Sequence, residues 1–406
     1  MEKSPFVRIE KGGVASPKGF TVGATYAGLK KAGPDKLDLT VLYSERPAAA
    51  AGVFTQSKTC SPSVTLSRQR IARHTARAVV VNSGCANACV GPQGLIDAKD
   101  TTALAAKKLG VAEEDVLIAS TGVIGVELPM ALIRAGMQKI ALNASAGPAF
   151  ARAIMTTDSH PKEQALKFQL EGKEITIGAA CKGVGMIHPD MATLLCFITT
   201  DAAVEPGFLQ TALKHAIDQS LNMVSVDGDT STNDTALLLA NGAAGNKQIK
   251  AGTKAAELFQ QALIEVTVPL AKMVARDGEG ATKLMEVTVE GAASAADARL
   301  AARTVAASPL VKAAVHGGDP NWGRIMMALG RSGAAITESK LSLYINEICV
   351  FDKGVPVPFF KEAAVISMKE SNVTILAKLG LGAHGATAWG CDLTEEYVRF
   401  NSEYST

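Results

Sequence analysis

The chain has 406 residues, with 47% hydrophobic residues, 37 glycines, and 41 Lys and Arg against 39 Asp and Glu. That much apolar material supplies a sizeable core and excludes wholesale disorder, and the near-even charge excludes a nucleic-acid footprint. At roughly 100–200 residues per domain, the length predicts two or three domains.

The opening stretch MEKSPFVRIEKGG carries no apolar h-region, so no secretory signal is expected. A short apolar run at 77–81 reads as a strand. It begins the longest uncharged stretch, 78–96, which Asn82, Ser83, Gly84, Asn87, Gly91 and Pro92 disqualify as a bilayer span. A helix is predicted at 96–109, a strand at 116–119 and a second helix at 128–142, with Pro129 near its start. Residues 166–171 and 174–177 alternate apolar and polar around Gly172 and Lys173, the pattern of a hairpin. Strands follow at 193–198, 285–289, 341–345 and 373–378, and helices at 207–221, 254–274 and 295–306. Strands and helices intermix, with hairpins as well as helical connections, so the fold class is α+β with layered sheets covered by helices. The softest boundary follows Glu279 and Gly280, giving units 1–280 and 281–406.

Several motifs look like chemistry without supporting it. Gly380-Leu-Gly-Ala-His-Gly385 matches a dinucleotide fingerprint, but 21 residues remain after it, too few for the required crossover and second strand. A glycine-rich turn is the better account. Seven scattered cysteines without a C-x-x-C pair predict reduced thiols and a cytoplasmic protein. Asp227, Asp229 and Asp234 miss the spacing of a calcium loop, so no metal is expected.

One segment differs. Cys181-Lys-Gly-Val-Gly-Met-Ile-His-Pro-Asp-Met-Ala-Thr193-Leu-Leu places a flexible glycine stretch and a lysine before a threonine that opens an apolar strand. The plain reading is a loop entering a strand. A threonine becomes a good nucleophile, however, when its own α-amine is free to act as base. Mid-chain, that requires the chain to cut itself before the threonine.

This segment closely resembles the self-cleaving motif of the ornithine acetyltransferase family of arginine biosynthesis, also called the bifunctional glutamate N-acetyltransferases. Further matching stretches occur in the family's order at 81–87, 120–125, 155–158, 227–234, 275–281, 319–324 and 401–406. The resemblance implies an αββα sandwich like that of self-processing threonine-nucleophile enzymes, with a smaller α/β C-terminal domain whose tail closes the active site. It implies cleavage between Ala192 and Thr193, leaving an α chain 1–192 and a β chain 193–406. Thr193 would be the nucleophile, with the Thr121 hydroxyl and the Gly122 N–H as oxyanion hole. Thr156, Lys182, Thr193, Glu279, Asn401 and Thr406 match substrate-binding positions. The implied reaction moves an acetyl group from N2-acetylornithine to glutamate through an acetyl-threonine and releases ornithine. Some members also take acetyl-CoA as donor, and no other cofactor is implied. The family's assembly is an α2β2 heterotetramer. A related amidase that resolves the acyl-threonine with water, and a binding protein with merely structural glycine turns, are the alternatives.

Overall fold

The computed structural model describes residues 4–33, 36–188 and 194–403. In chain order its strands are β1 (Val7–Arg8), β2 (Phe20–Thr25), β3 (Leu39–Phe54), β4 (Thr75–Cys85), β5 (Val116–Val123), β6 (Lys162–Leu170), β7 (Lys173–Lys182), β8 (Leu195–Thr200), β9 (Val224–Ser225) and β10 (Thr235–Ala240). The C-terminal part adds β11 (Leu284–Ala292), β12 (Ser342–Ile345), β13 (Ile348–Asp352), β14 (Val355–Pro356), β15 (Asn372–Lys378) and β16 (His384–Cys391). The helices are α1 (Pro62–Ile71), α2 (Gln93–Leu109), α3 (Met130–Lys139), α4 (Gly147–Ile154), α5 (Pro206–Asp218), α6 (Lys254–Arg276), α7 (Ala295–Ala306), α8 (Pro309–Gly317), α9 (Trp322–Gly330), α10 (Lys361–Ser367) and α11 (Glu395–Glu403).

The first sheet runs β1-β6-β7-β8-β10-β3-β4-β5, with β2 beside β3. Its central strand β3 is bent. Residues 39–43 pair with β4, the register then shifts between Tyr43 and Ala48, and residues 49–54 pair with β10. Pro47 falls in that shift, where a missing N–H costs no ladder bond. The bend folds the sheet over on itself. Val79 and Val81 of β4 share one apolar cluster with Phe197 of β8 and Leu237 and Leu239 of β10, which is the core between the two halves. The alternate residues Ala78 and Val80 face outward onto α2 and α3. On the opposite side, Cys196, Ile198, Ala236 and Leu238 face α5 and α6. This period-two division gives the helix–sheet–sheet–helix layering, and the α+β class stands.

The second sheet, β14-β13-β12-β15-β11-β16-β9, packs against α6 through β16 and is covered by α7, on which α9 packs, with Trp322 of α9 against Phe351 of β13. Helix α6 thus serves both sheets, and one continuous core runs through it. Thr253 caps its start by accepting from the Ala256 N–H. By length and composition alone it is apolar enough to cross a membrane, and half of its most apolar window is buried inside the protein.

The expected hairpin forms as β6 and β7, with Leu170 opposite Lys173. The turn residues are Glu171 and Gly172, one position earlier than the alternation suggests; both have positive φ, the geometry of a tight two-residue turn. Residues 380–383 of the glycine run lie in the turn between β15 and β16, and His384 and Gly385 begin β16. The strand expected at 193–198 is β8, which begins at Leu195; Thr193 itself lies outside the described residues.

Candidate active site

A cleft opens where β5 and β7 end and β8 and β10 begin. Of the residues singled out in the sequence, Thr121, Gly122, Thr156, Lys182, Glu279 and Asn401 all line it. Ala192, Thr193 and Thr406 lie outside the described residues. Leu194, the chain neighbour of Thr193, lines the cleft, and its carbonyl accepts the Thr235 N–H at 2.9 Å.

One wall is built by the ends of β4 and β5. These strands run parallel, and their register slips at Gly84 and Cys85. Gly122 has φ +134°, and a Cβ there would lie 2.3 Å from the Gly84 carbonyl carbon, so only glycine fits. Beside it, the Lys182 ammonium donates to the Thr121 hydroxyl oxygen at 3.1 Å. That bond occupies an acceptor position of the hydroxyl and leaves its own proton for donation into the cleft.

Lys182 feels the charges of two carboxylates, Asp158 and Asp234. Burial pushes its ammonium below the ordinary lysine value and Lys162 pushes the same way, while Asp158, Asp234 and Glu279 pull against them. Asp158 accepts from Lys162 at 2.7 Å, from the Gly183 N–H at 2.9 Å and from the Thr156 N–H at 3.0 Å. Burial opposes its charge, but Lys162, Lys182 and these bonds hold it down to about 2. Lys162 also reaches Asp277 beyond the end of α6 at 2.6 Å, so a buried ion triad ties 158–162 to 277. Asp234 differs: burial raises its carboxyl well above the usual range, despite Ser231 and Lys182. Its Oδ2 has no partner among the described residues.

The other wall is acidic. Glu279 accepts from the Thr157 hydroxyl at 3.0 Å and from the Asn401 amide at 3.0 Å. Its carboxylate fills the space where a Cβ on Gly185 would lie, 2.6 Å away. Next along the chain, Met186 has φ +51°, a left-handed conformation costing about 1–2 kcal/mol for a side-chain-bearing residue. Its N–H donates to Asp227 at 2.6 Å and the Ile187 N–H donates to the same carboxylate at 2.9 Å. Hydrogen bonds to a charged acceptor contribute about 1.5–3 kcal/mol each, enough to outweigh that strain. Tyr397 of α11 completes the wall; burial, then Asp227 and Glu279, push its phenol above the ordinary value.

The cleft therefore offers hydroxyl and N–H donors with a cation at one end and carboxylates at the other. Such a site can bind a molecule carrying both charges and stabilise an oxyanion beside the donor end. A model of the ArgJ family matches residues 21–406. The arginine biosynthesis bifunctional protein ArgJ of Dehalococcoides mccartyi is 49% identical over 404 residues, covering the whole of both chains.

The chain belongs to the ArgJ family.

The ArgJ of Symbiobacterium thermophilum agrees, at 49% identity over 397 residues, 97% of this chain and 99% of that one. Among solved structures, the ArgJ of Bacillus halodurans is 42% identical with a TM-score of 0.50, and the match covers 51% of this chain and 98% of that chain. As an ArgJ-family protein the chain is an acyltransferase of arginine biosynthesis.

The sequence leaves open which of Thr156 and Thr157 faces the substrate; both line the cleft, and the Thr157 hydroxyl is engaged with Glu279. Asn233 and Tyr397 share the cleft without having been singled out, although Asn233 lies inside a matched motif. Tyr397 sits in an ordinary exposed-looking helix, and only the packing of α11 on Gly280 brings it in. Asp227, Asp229 and Asp234 were weighed as metal ligands; no cluster suited to a metal ion occurs among the described residues.

Proposed function

We propose that this chain transfers the acetyl group of N2-acetylornithine to L-glutamate through an acetyl-threonine at Thr193. One observation carries the reading. Six expected residues from separate segments between 121 and 401 line one cleft together with Leu194, the covalent neighbour of Thr193.

In this reading the precursor cuts itself between Ala192 and Thr193, which frees the α-amine that serves as general base. The Thr193 hydroxyl attacks the acetyl carbonyl, and the Thr121 hydroxyl and Gly122 N–H receive the developing oxyanion. Removing such a donor typically costs about 2.7–4 kcal/mol of transition-state stabilisation. Lys182 suits the substrate carboxylate, and Glu279, held by Thr157 and Asn401, suits the side-chain ammonium of ornithine. Thr156 is the substrate contact and Thr406 a further one from the tail. Ornithine leaves, glutamate enters the same cleft and its amine takes the acetyl group. Acetyl-CoA is a second donor, in keeping with the bifunctional naming of the relatives.

Cleavage leaves 192 and 214 residues. The solved B. halodurans chain, which spans about half of this one over nearly its own full length, supports such a division. Residues 1–280 form the catalytic core, and 281–406 the C-terminal domain whose tail closes the cleft. Two cleaved pairs assemble as an α2β2 heterotetramer, by the symmetric closure usual in soluble oligomers, and the protein works in the cytoplasm.

The test is acetyl trapping. Incubation with N2-[14C-acetyl]ornithine alone should label the 214-residue fragment at its terminal threonine, and added glutamate should discharge the label as N-acetylglutamate. Thr193→Ala should give neither cleavage nor label. Full transferase activity in Thr193→Ala, or label lost to water without glutamate, would overturn the reading.

A further inference from the structure

The Asp227 carboxylate lies outside the chemistry proposed above, yet more of the 183–188 segment depends on it than on any other side chain in the cleft wall. It takes the Met186 and Ile187 N–H groups on separate oxygens, and the Asp229 N–H at 3.2 Å. The Tyr397 hydroxyl is hydrogen-bonded to it from α11. Around this hub, the Val226 N–H donates to the Ile187 carbonyl at 2.7 Å and the Thr230 hydroxyl to the His188 carbonyl at 3.0 Å. The His188 ring meets the Ser225 hydroxyl at 3.1 Å. Residues 186–188 are thus fastened to 225–230.

On the other side of the expected cleavage point, Leu194 and Leu195 are fastened as firmly. Leu195 pairs with Lys182 of β7 and with Thr235 of β10. The segment between these two anchors therefore has both ends fixed. One anchor is regular strand pairing. The other is a left-handed methionine beside a single β-bridge of Ile187 to Thr230, and the Asp227 carboxylate holds its N–H. The two anchors also fall in different products: 186–188 would belong to the 1–192 fragment, and Asp227 to the other.

We propose that Asp227 is a positioning residue for self-cleavage. Its two oxygens hold the left-handed Met186 turn, fix the upstream end of the scissile segment, and after cleavage keep that end bound to the second fragment. Tyr397 orients the carboxylate, which makes α11 part of the device. This rests on the self-cleavage reading above. The role requires two acceptors: an asparagine has one acceptor oxygen, and its amide would face a donor. Glutamate keeps both oxygens.

The experiment follows precursor and fragments by denaturing intact mass in wild type, Asp227→Asn, Asp227→Glu and Tyr397→Phe, each purified early and then warmed. Melting temperature and far-UV circular dichroism are recorded in parallel. Loss of a charge-assisted hydrogen bond predicts cleavage about tenfold slower or more in Asp227→Asn, with near-wild-type circular dichroism. Asp227→Glu should recover most of the rate, and Tyr397→Phe should slow cleavage by about twofold to fivefold. Wild-type cleavage rates in Asp227→Asn would overturn the proposal. So would Asp227→Glu as slow as Asp227→Asn, because the acceptor pair would then not be what matters. If Asp227→Asn fails to fold, Tyr397→Phe decides: slowing supports the role and an unchanged rate overturns it. A failure of the self-cleavage reading shows separately, as a wild-type chain that never divides.

Discussion

Asp158 and Asp234 both act on the charge of Lys182, and their environments push them in opposite directions. Asp158 has a buried lysine and two backbone N–H groups, and it stays ionised down to about 2. Asp234 is as deeply buried, has only Ser231 and the more distant Lys182 to favour its charge, and is pushed far the other way. Burial raises both carboxyls; at Asp158 the charges of Lys162 and Lys182 and its hydrogen bonds outweigh it, and at Asp234 they do not. Asp158 fastens the structure, while Asp234 keeps one oxygen, Oδ2, without a partner among the described residues at the edge of the cleft.

The comparison breaks first at Asp158→Asn. A neutral amide cannot compensate Lys162, and breaking a buried ion pair costs about 3–5 kcal/mol, measurable by urea unfolding at pH 7. A loss under 1 kcal/mol would mean that Asp277 alone satisfies the lysine. The same difference should depend on pH. With a folded value near 2 against an ordinary value near 3.9, Asp158 contributes its full stability above about pH 4 and loses it as pH falls towards 2. The gap between wild type and Asp158→Asn should therefore narrow by about 2–3 kcal/mol over that window and stay constant from pH 5 to 8.

Asp234→Asn should behave in the opposite sense. The folded protein keeps the proton that the unfolded chain gives up near pH 4, so Asp234 makes stability fall as pH rises above 4. The amide should remove that slope and leave the protein within about 1 kcal/mol of wild type, or above it, at pH 8. A loss of several kcal/mol would show that the carboxylate is paired and charged after all. The smallest effect is expected at Glu163, away from the cleft. Its carboxyl is pushed up to about 7 by burial against the pull of Arg152, and its Oε1 has no partner among the described residues. Glu163→Gln should gain up to about 1 kcal/mol at pH 8 and nothing at pH 4, read from thermal melts.

These sites also show where sequence reading reaches and where it stops. The β6–β7 hairpin was legible because its apolar residues keep a period of two. Helix α7 was legible to the residue from its helical spacing, and the structure adds its cap, Ser294 accepting from the Asp297 N–H. Strand β3 was not seen at all: Pro47 and the run Ala48 to Ala51 have poor strand propensity, and only the pairing with β4 and β10 makes them strand. In the site, the glycine motif and Thr193 stood out, but nothing local marks residues 121, 182, 279 and 401 as neighbours. Their convergence came from the family resemblance, and the fold then placed them in one cleft. The pairing of Asp158 with Lys162 lies at helix-like spacing on a segment that is not helix, so no pattern announced it.

The most direct test of the whole account is a denaturing intact-mass spectrum of the purified protein with N-terminal sequencing of the products. The account predicts two fragments of 192 and 214 residues, the second beginning Thr-Leu-Leu-Cys-Phe. A single chain of 42.1 kDa that survives warming would contradict it, because Thr193 would then have no free amine to act as its base.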